Sequence, residues 1–192
     1  MGDHKNIDNS SIRHTRRVTA LSILLVSLAA FLTGCATDHP LNYTPSSIMS
    51  ATGSVSVGDF AYLPAEKGEV DANQIRNTAI GSVKFEDPIS DYYRQAVLTE
   101  LRFVGININS NNHVLSGEVM EFLADDLGYS IDWTITVRYI VKSPQGAVLY
   151  DQTKTVERNT NKFSNVFTAM NESVKMNIED LIKDPEFIQA IN

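Results

Sequence analysis

Tyr129-Ser-Ile-Asp-Trp-Thr-Ile-Thr-Val-Arg-Tyr-Ile-Val-Lys142 is the stretch that decides the fold. Tyr129, Ile131, Trp133, Ile135, Val137, Tyr139 and Val141 fall on one side of an extended chain. Ser130, Asp132, Thr134, Thr136, Arg138 and Lys142 fall on the other, and Ile140 alone is out of step. A period of two with one apolar face is the signature of a half-buried antiparallel strand. Ser143-Pro-Gln-Gly146 follows as a hairpin turn, and residues 147–160 read as the returning strand. On the other side, residues 113–124 read as a strand and Asp125-Asp126-Leu127-Gly128 as the turn that joins it. The three strands form an antiparallel meander.

Helical signals bracket this meander. Asp87-Pro88 reads as an N-cap followed by proline at the first helical position. Ile89, Tyr93, Ala96, Val97, Leu101 and Val104 then share a face at the 3.6-residue period, and Gly105 is a fitting stop. A second amphipathic helix runs from about Ser164 to Lys183, with Val166, Phe167, Met170, Val174, Ile178, Leu181 and Ile182 on one face. Asp184-Pro185 starts a last short helix. Residues 54–62, 80–85 and 106–109 give weaker strand signals, and residues 64–79, with Pro64 and Gly68, read as a loop. The expected architecture is α+β: a two-layer domain in which two amphipathic helices cover a mainly antiparallel sheet.

The N-terminal region has a different character. Arg13, Arg16 and Arg17 precede an apolar run from Ala20 to Leu32, 13 residues long. A spanning helix needs about 20 such residues, so the run fits the core of a signal peptide. It ends in Leu32-Thr33-Gly34-Cys35, which resembles the lipobox of bacterial lipoproteins, and Cys35 is the only cysteine in the chain. That resemblance implies cleavage after Gly34 and acylation, with chains such as palmitate, at the Cys35 thiol. By the sorting rule of such proteins, Ala36 in place of aspartate implies the periplasmic face of the outer membrane. Arg16-Arg17 lacks the large apolar residues expected after a twin-arginine pair and reads as ordinary leader charge. Residues 36–53 are rich in Ser, Thr, Pro and Ala and read as a flexible tether with a reach on the order of 20–25 Å. The expected organisation is therefore a signal peptide over 1–34, the lipidated cysteine and tether over 35–53, and one domain over 54–192.

Charge and chemistry narrow the function. Four of the 16 basic and two of the 23 acidic side chains lie in residues 1–34. The remainder therefore holds 12 basic and 21 acidic groups, a net charge of −9. Nucleic-acid binding needs a basic surface and is excluded. Beyond the leader only His39 and His113 remain, and His39 sits in the tether. No usual zinc set can be assembled from these residues, and a Ser-His-Asp triad would have to use His113, which reads as a solvent-facing turn residue. Asp125-Asp126 fits a turn, and Glu118 and Glu121 are expected on opposite faces of one strand. No catalytic site, metal or cofactor is expected.

Leu115, Val119 and Leu123 are expected on one face of strand 113–124, with Val114, Met120 and Phe122 on the other. Ile140 of the neighbouring strand can join the second set. With helices over one face alone, Val114, Met120, Phe122 and Ile140 would form an exposed apolar patch suited to a protein partner.

Taken together, the lipobox, the tether, the helix ending in Leu101-Arg-Phe-Val-Gly105, the meander and the tail Asn177-Ile-Glu-Asp-Leu-Ile-Lys-Asp-Pro-Glu-Phe-Ile188 resemble the YajG family of small Gram-negative lipoproteins. More distantly the topology is similar to auxiliary lipoproteins of ABC-type lipid transport systems. The first resemblance implies the fold and the membrane-anchored location and offers no catalytic motif; an envelope protein as partner is expected from the anchor, the missing catalytic set and the apolar patch. The second implies a module that binds a lipid or cell-wall fragment.

Overall fold

The computed structural model describes residues 42–78, 84–108, 113–162 and 165–192. In chain order the elements are β1 (Ser56–Tyr62), α1 (Leu63–Glu66), β2 (Arg76–Asn77), α2 (Ile89–Phe103) and β3 (Val114–Asp125). They continue with β4 (Ser130–Lys142), β5 (Val148–Asn161), α3 (Val166–Ile182) and α4 (Pro185–Ala190). The fold is α+β. β3, β4 and β5 form the meander that the alternation predicts. β1 and β2 pair with the other edge of β3 and run parallel to it. Parallel neighbours need a long crossover, and α2 supplies it between β1 and β3.

The helices lie on one face of the sheet. Ile89, Tyr92, Tyr93, Ala96, Val97 and Leu101 of α2 are buried, as are Met170, Val174, Ile178, Leu181 and Ile182 of α3. They meet Ile131, Trp133, Ile135, Val137, Tyr139 and Val141, the inward side of β4. Helix α2 ends in a Schellman motif: the amide of Ile106 donates to the carbonyl of Leu101 at 3.0 Å and that of Gly105 to Arg102 at 3.2 Å. Gly105 has φ +105°, a conformation that glycine tolerates and other residues resist. The start of α2 differs from expectation. Its N-cap is Pro88 and not Asp87, and the Ile89 amide is satisfied by the Ala72 carbonyl at 2.9 Å. Asp184 caps α4 as expected, accepting from the Glu186 amide at 2.9 Å.

Three further expectations need correction. A bulge at Met120 shifts the β3–β4 register, so that Val119 faces Val137 while Glu121 faces Thr136. One extra residue inverts the alternation beyond it. Phe122 therefore enters the core, fully buried, and Leu123 moves toward the outer face. Tyr129 lies before β4 and is 94% exposed. Finally, the later part of the expected tether is docked on the domain. Tyr43, Met49 and Ala51 pack against the core, Ser47 is buried, and the Ala51 amide donates to the Val104 carbonyl at 2.9 Å.

The weaker strand signals resolve into smaller features. Lys84 makes an isolated bridge to Gln74, and Asn107 one to Ser54, while residues 80–83 and 109 lie outside the described residues. The segment read as a loop over 64–79 contains most of α1 and all of β2.

Candidate functional site

Leu32, Thr33, Gly34 and Cys35 lie outside the described residues. Of the residues expected in a partner patch, Val114 and Met120 are exposed and Ile140 is half-buried on the outer sheet face. Phe122 is not among them, because the bulge turns it into the core. Nor do the remaining three form a continuous apolar surface. Ser116 and Glu118 separate Val114 from Met120 along β3, and Arg138 bridges Glu118 at 3.2 Å and Asp151 at 2.7 Å across three strands. The outer face carries a charged ladder.

The same bulge puts Glu118 and Glu121 on one face of β3, contrary to expectation. Each carboxylate has its own cation: Arg138 for Glu118, and Arg76 for Glu121 at 3.4 Å. Asp125 accepts the Thr78 hydroxyl at 2.7 Å and the Leu127 amide at 3.3 Å, the local turn bonding anticipated for it. His113 is half-buried, with Nδ1 2.8 Å from the Ala190 carbonyl, so this ring nitrogen is the protonated donor. It ties the start of β3 to the end of α4. Among the described residues, no three His, Cys, Asp or Glu side chains gather as a metal site requires.

Two buried polar groups that periodicity did not single out fasten parts of the domain together. Glu100, fully buried on α2, accepts the Tyr43 hydroxyl at 2.6 Å and the Ser47 amide at 2.8 Å. Burial, and then the Glu100 carboxylate, raise the Tyr43 pKa well above its ordinary range. Asn177, fully buried on α3, accepts the hydroxyls of Tyr93 and Tyr139 at 2.8 Å each. Its amide nitrogen donates to the carbonyls of Lys154 at 3.0 Å and Ile135 at 3.3 Å. Burial raises both tyrosine pKa values and keeps the phenols neutral. Glu100 stitches the segment before β1 to α2, and Asn177 stitches α3 to the sheet, each polar atom answered by another.

The outer face carries an open, half-polar hollow between Asp59, Glu66, Glu118 and Lys142; an apolar concavity lies elsewhere, at the end of the domain where β4 starts and α3 begins. A cavity of about 220 Å³ opens there between the layers. Its walls are Ile75, Phe85, Ile131, Trp133, Phe167 and Met170, with Ala124 on the sheet side and Val166 on the helix side. Asn77 and Asp126 are the polar residues at its edge. Phe85 and Phe167 meet edge to face at 6.4 Å. The indole N–H of Trp133 is spent on the Thr160 hydroxyl at 2.9 Å, so what Trp133 offers the cavity is apolar ring surface. An alkyl chain or a small ring suits such a lining, and a charged group does not. The cavity was not legible in the sequence, because its walls come from separate segments, each of which reads as ordinary core.

No family model matches the chain, and no curated protein matches it. Among solved structures, protein XCC0632 from Xanthomonas campestris, assigned to the DUF330 family model, superposes with a TM-score of 0.60 at 15% identity. That match covers 80% of this chain and 95% of the other. The hypothetical protein CT253 from Chlamydia trachomatis superposes with a TM-score of 0.51 at 11% identity, over 73% of this chain and 99% of that one. At these identities the likeness is one of fold. A minor lipoprotein from Acinetobacter baumannii aligns at 12% identity over 72% of this chain and 92% of its own, but its TM-score of 0.37 supports no conclusion.

Proposed function

We propose that this chain is a lipid-anchored envelope protein, acylated on Cys35 and held at the periplasmic face of the outer membrane, whose domain binds an apolar ligand without catalysis. The ligand class is an acyl chain of a lipid or the apolar part of a cell-wall fragment, as in the auxiliary lipoproteins of ABC-type transport systems that the topology resembles. The observation that carries this reading is the cavity between Trp133, Phe167 and Met170. At about 220 Å³ it is smaller than the roughly 300–1,000 Å³ of pockets for drug-sized ligands, and it fits part of one chain. The anchor itself rests on the Leu32-Thr33-Gly34-Cys35 box and its apolar leader.

A protein partner docked on the outer sheet face has less support, since Phe122 is in the core and the Glu118–Arg138–Asp151 ladder crosses that face. Native mass spectrometry of the full-length protein taken from membranes separates the readings. A ligand-binding module carries a noncovalent adduct of lipid mass that is absent after extraction with solvent. A protein that arrives bare, or with a stoichiometric protein partner and no small molecule, contradicts the reading. Cys35→Ser tests the anchor separately, and unchanged membrane recovery of that variant would remove it.

A further inference from the structure

Three features coincide at the cavity end of the domain. The first is the cavity itself. The second is a set of exposed apolar side chains at its rim. Leu127 and Tyr129, in the turn between β3 and β4, are 73% and 94% exposed, and Phe167, which lines the cavity, is 38% exposed. The turn borders the cavity through Asp126 and is tied down by Lys162, whose Nζ donates to the carbonyls of Asp126 at 2.6 Å and Gly128 at 3.3 Å.

The third feature is the course of the segment before β1. The docked segment 42–53 runs from this end of the helices to the other. Its Asn42 carbonyl accepts from Asn171 Nδ2 at 3.2 Å, one residue past the cavity-lining Met170, whereas its Ala51 amide reaches Val104 at the far end of α2. Cys35 is seven residues before Asn42, so even a fully extended chain separates them by at most about 25 Å. A membrane anchor at Cys35 would therefore tether the domain through Asn42, at the cavity end of the segment.

We propose that the β3–β4 turn, with Leu127, Tyr129 and Phe167, is a membrane-docking tip that seats the cavity mouth on a zwitterionic lipid surface and lets one acyl chain enter. This rests on the anchored, ligand-binding reading given above. Exposed leucine and phenylalanine gain by entering the boundary between headgroup and acyl chain, and tyrosine is favoured at that depth. The domain's net negative charge, with Asp125 at the turn, disfavours anionic headgroups, so the favoured surface is zwitterionic. Exposed apolar side chains at the opposite end, Val148 and Leu149, lie beyond the β4–β5 turn, away from both the cavity and the start of the docked segment, and serve as a control.

Trp133 is the only tryptophan in the chain and lines the cavity, so its emission reports the arrival of a quencher. The full-length protein is reconstituted into phosphatidylcholine and phosphatidylethanolamine vesicles whose acyl chains carry bromine, and compared with unbrominated vesicles. The wild type is expected to lose most of its Trp133 emission in the brominated vesicles. Leu127→Asp combined with Tyr129→Asp is expected to keep its emission while still floating with the vesicles, and Val148→Asp with Leu149→Asp to behave as wild type. Brominated octanoate, soluble on its own, should quench all three proteins alike, which shows that the cavity is intact in each. Equal quenching of the wild type and the tip variant by vesicles overturns the docking tip. Octanoate quenching without vesicle quenching in the wild type overturns the tip but leaves the ligand-binding reading standing. Failure of both probes removes both.

Discussion

Tyr43 donates its hydroxyl to Glu100 at 2.6 Å across 57 residues of sequence, and so fastens the segment before β1 to a buried carboxylate on α2. A stretch with the composition of a linker thus becomes part of the domain. Glu100→Ala removes the acceptor of both Tyr43 and the Ser47 amide, and leaving a buried donor unsatisfied costs about 1–3 kcal/mol. The urea midpoint should fall accordingly, and a protease should cut between residues 42 and 53, where the wild type resists. Equal protection in both proteins would mean that the segment is held by something else.

Asn177 should prove less replaceable than any neighbouring apolar residue. Its loss removes the shared acceptor of two tyrosine hydroxyls, which keep only each other at 3.3 Å, and the donor to two backbone carbonyls. Asn177→Leu should therefore cost at least about 2 kcal/mol despite added apolar bulk. Tyr93→Phe, which removes one donor and strands little, should cost less. Urea unfolding of the two variants checks the order.

Acid should loosen the join between β5 and α4 through Asp184. Burial opposes ionisation of this carboxyl, but Lys154 Nζ at 2.6 Å, the Tyr150 hydroxyl at 2.8 Å and the Glu186 amide outweigh it, so its pKa lies below the ordinary 3.8. A carboxyl whose folded pKa is depressed contributes stability that is fully present above its unfolded pKa. That contribution is lost as pH falls through the folded one. Urea midpoints measured from about pH 5 to about pH 2 should fall more steeply for the wild type than for Asp184→Asn. Parallel curves would show that Asp184 is not the group responsible.

Gly117 should not accept even alanine. A Cβ there would lie 2.2 Å from the ring of Phe60, which lies over the glycine from β1. Overpacking of this kind costs typically about 1–3 kcal/mol. Phe60→Leu should recover part of the loss in the double variant, a coupling that a double-mutant cycle measures directly. Additive effects would indicate that the ring moves aside freely.

What the sequence disclosed follows from what each signal depends on. The inward face of β4 and the helix faces were legible because alternation and the 3.6-residue period are local. The two faces of β3 were half-legible, since one bulged residue, Met120, inverted everything after it and sent Phe122 inward. The parallel pairing of β1 and β2 with β3 leaves no trace in alternation, and β2 is too short to show any. Glu100 and Asn177 sit on mostly apolar helix faces, and their partners lie 23 to 84 residues away, so only the assembled fold explains their burial.

The most direct test of the ligand-binding claim is to fill the cavity and count lipid. Ala124 faces it from the sheet and is nearly buried, so Ala124→Met places a flexible apolar chain in the space. The account predicts that the full-length variant, taken from membranes beside the wild type, carries markedly less bound lipid while its urea midpoint is equal or higher. Lipid content equal to that of the wild type, in a variant as stable, would contradict it.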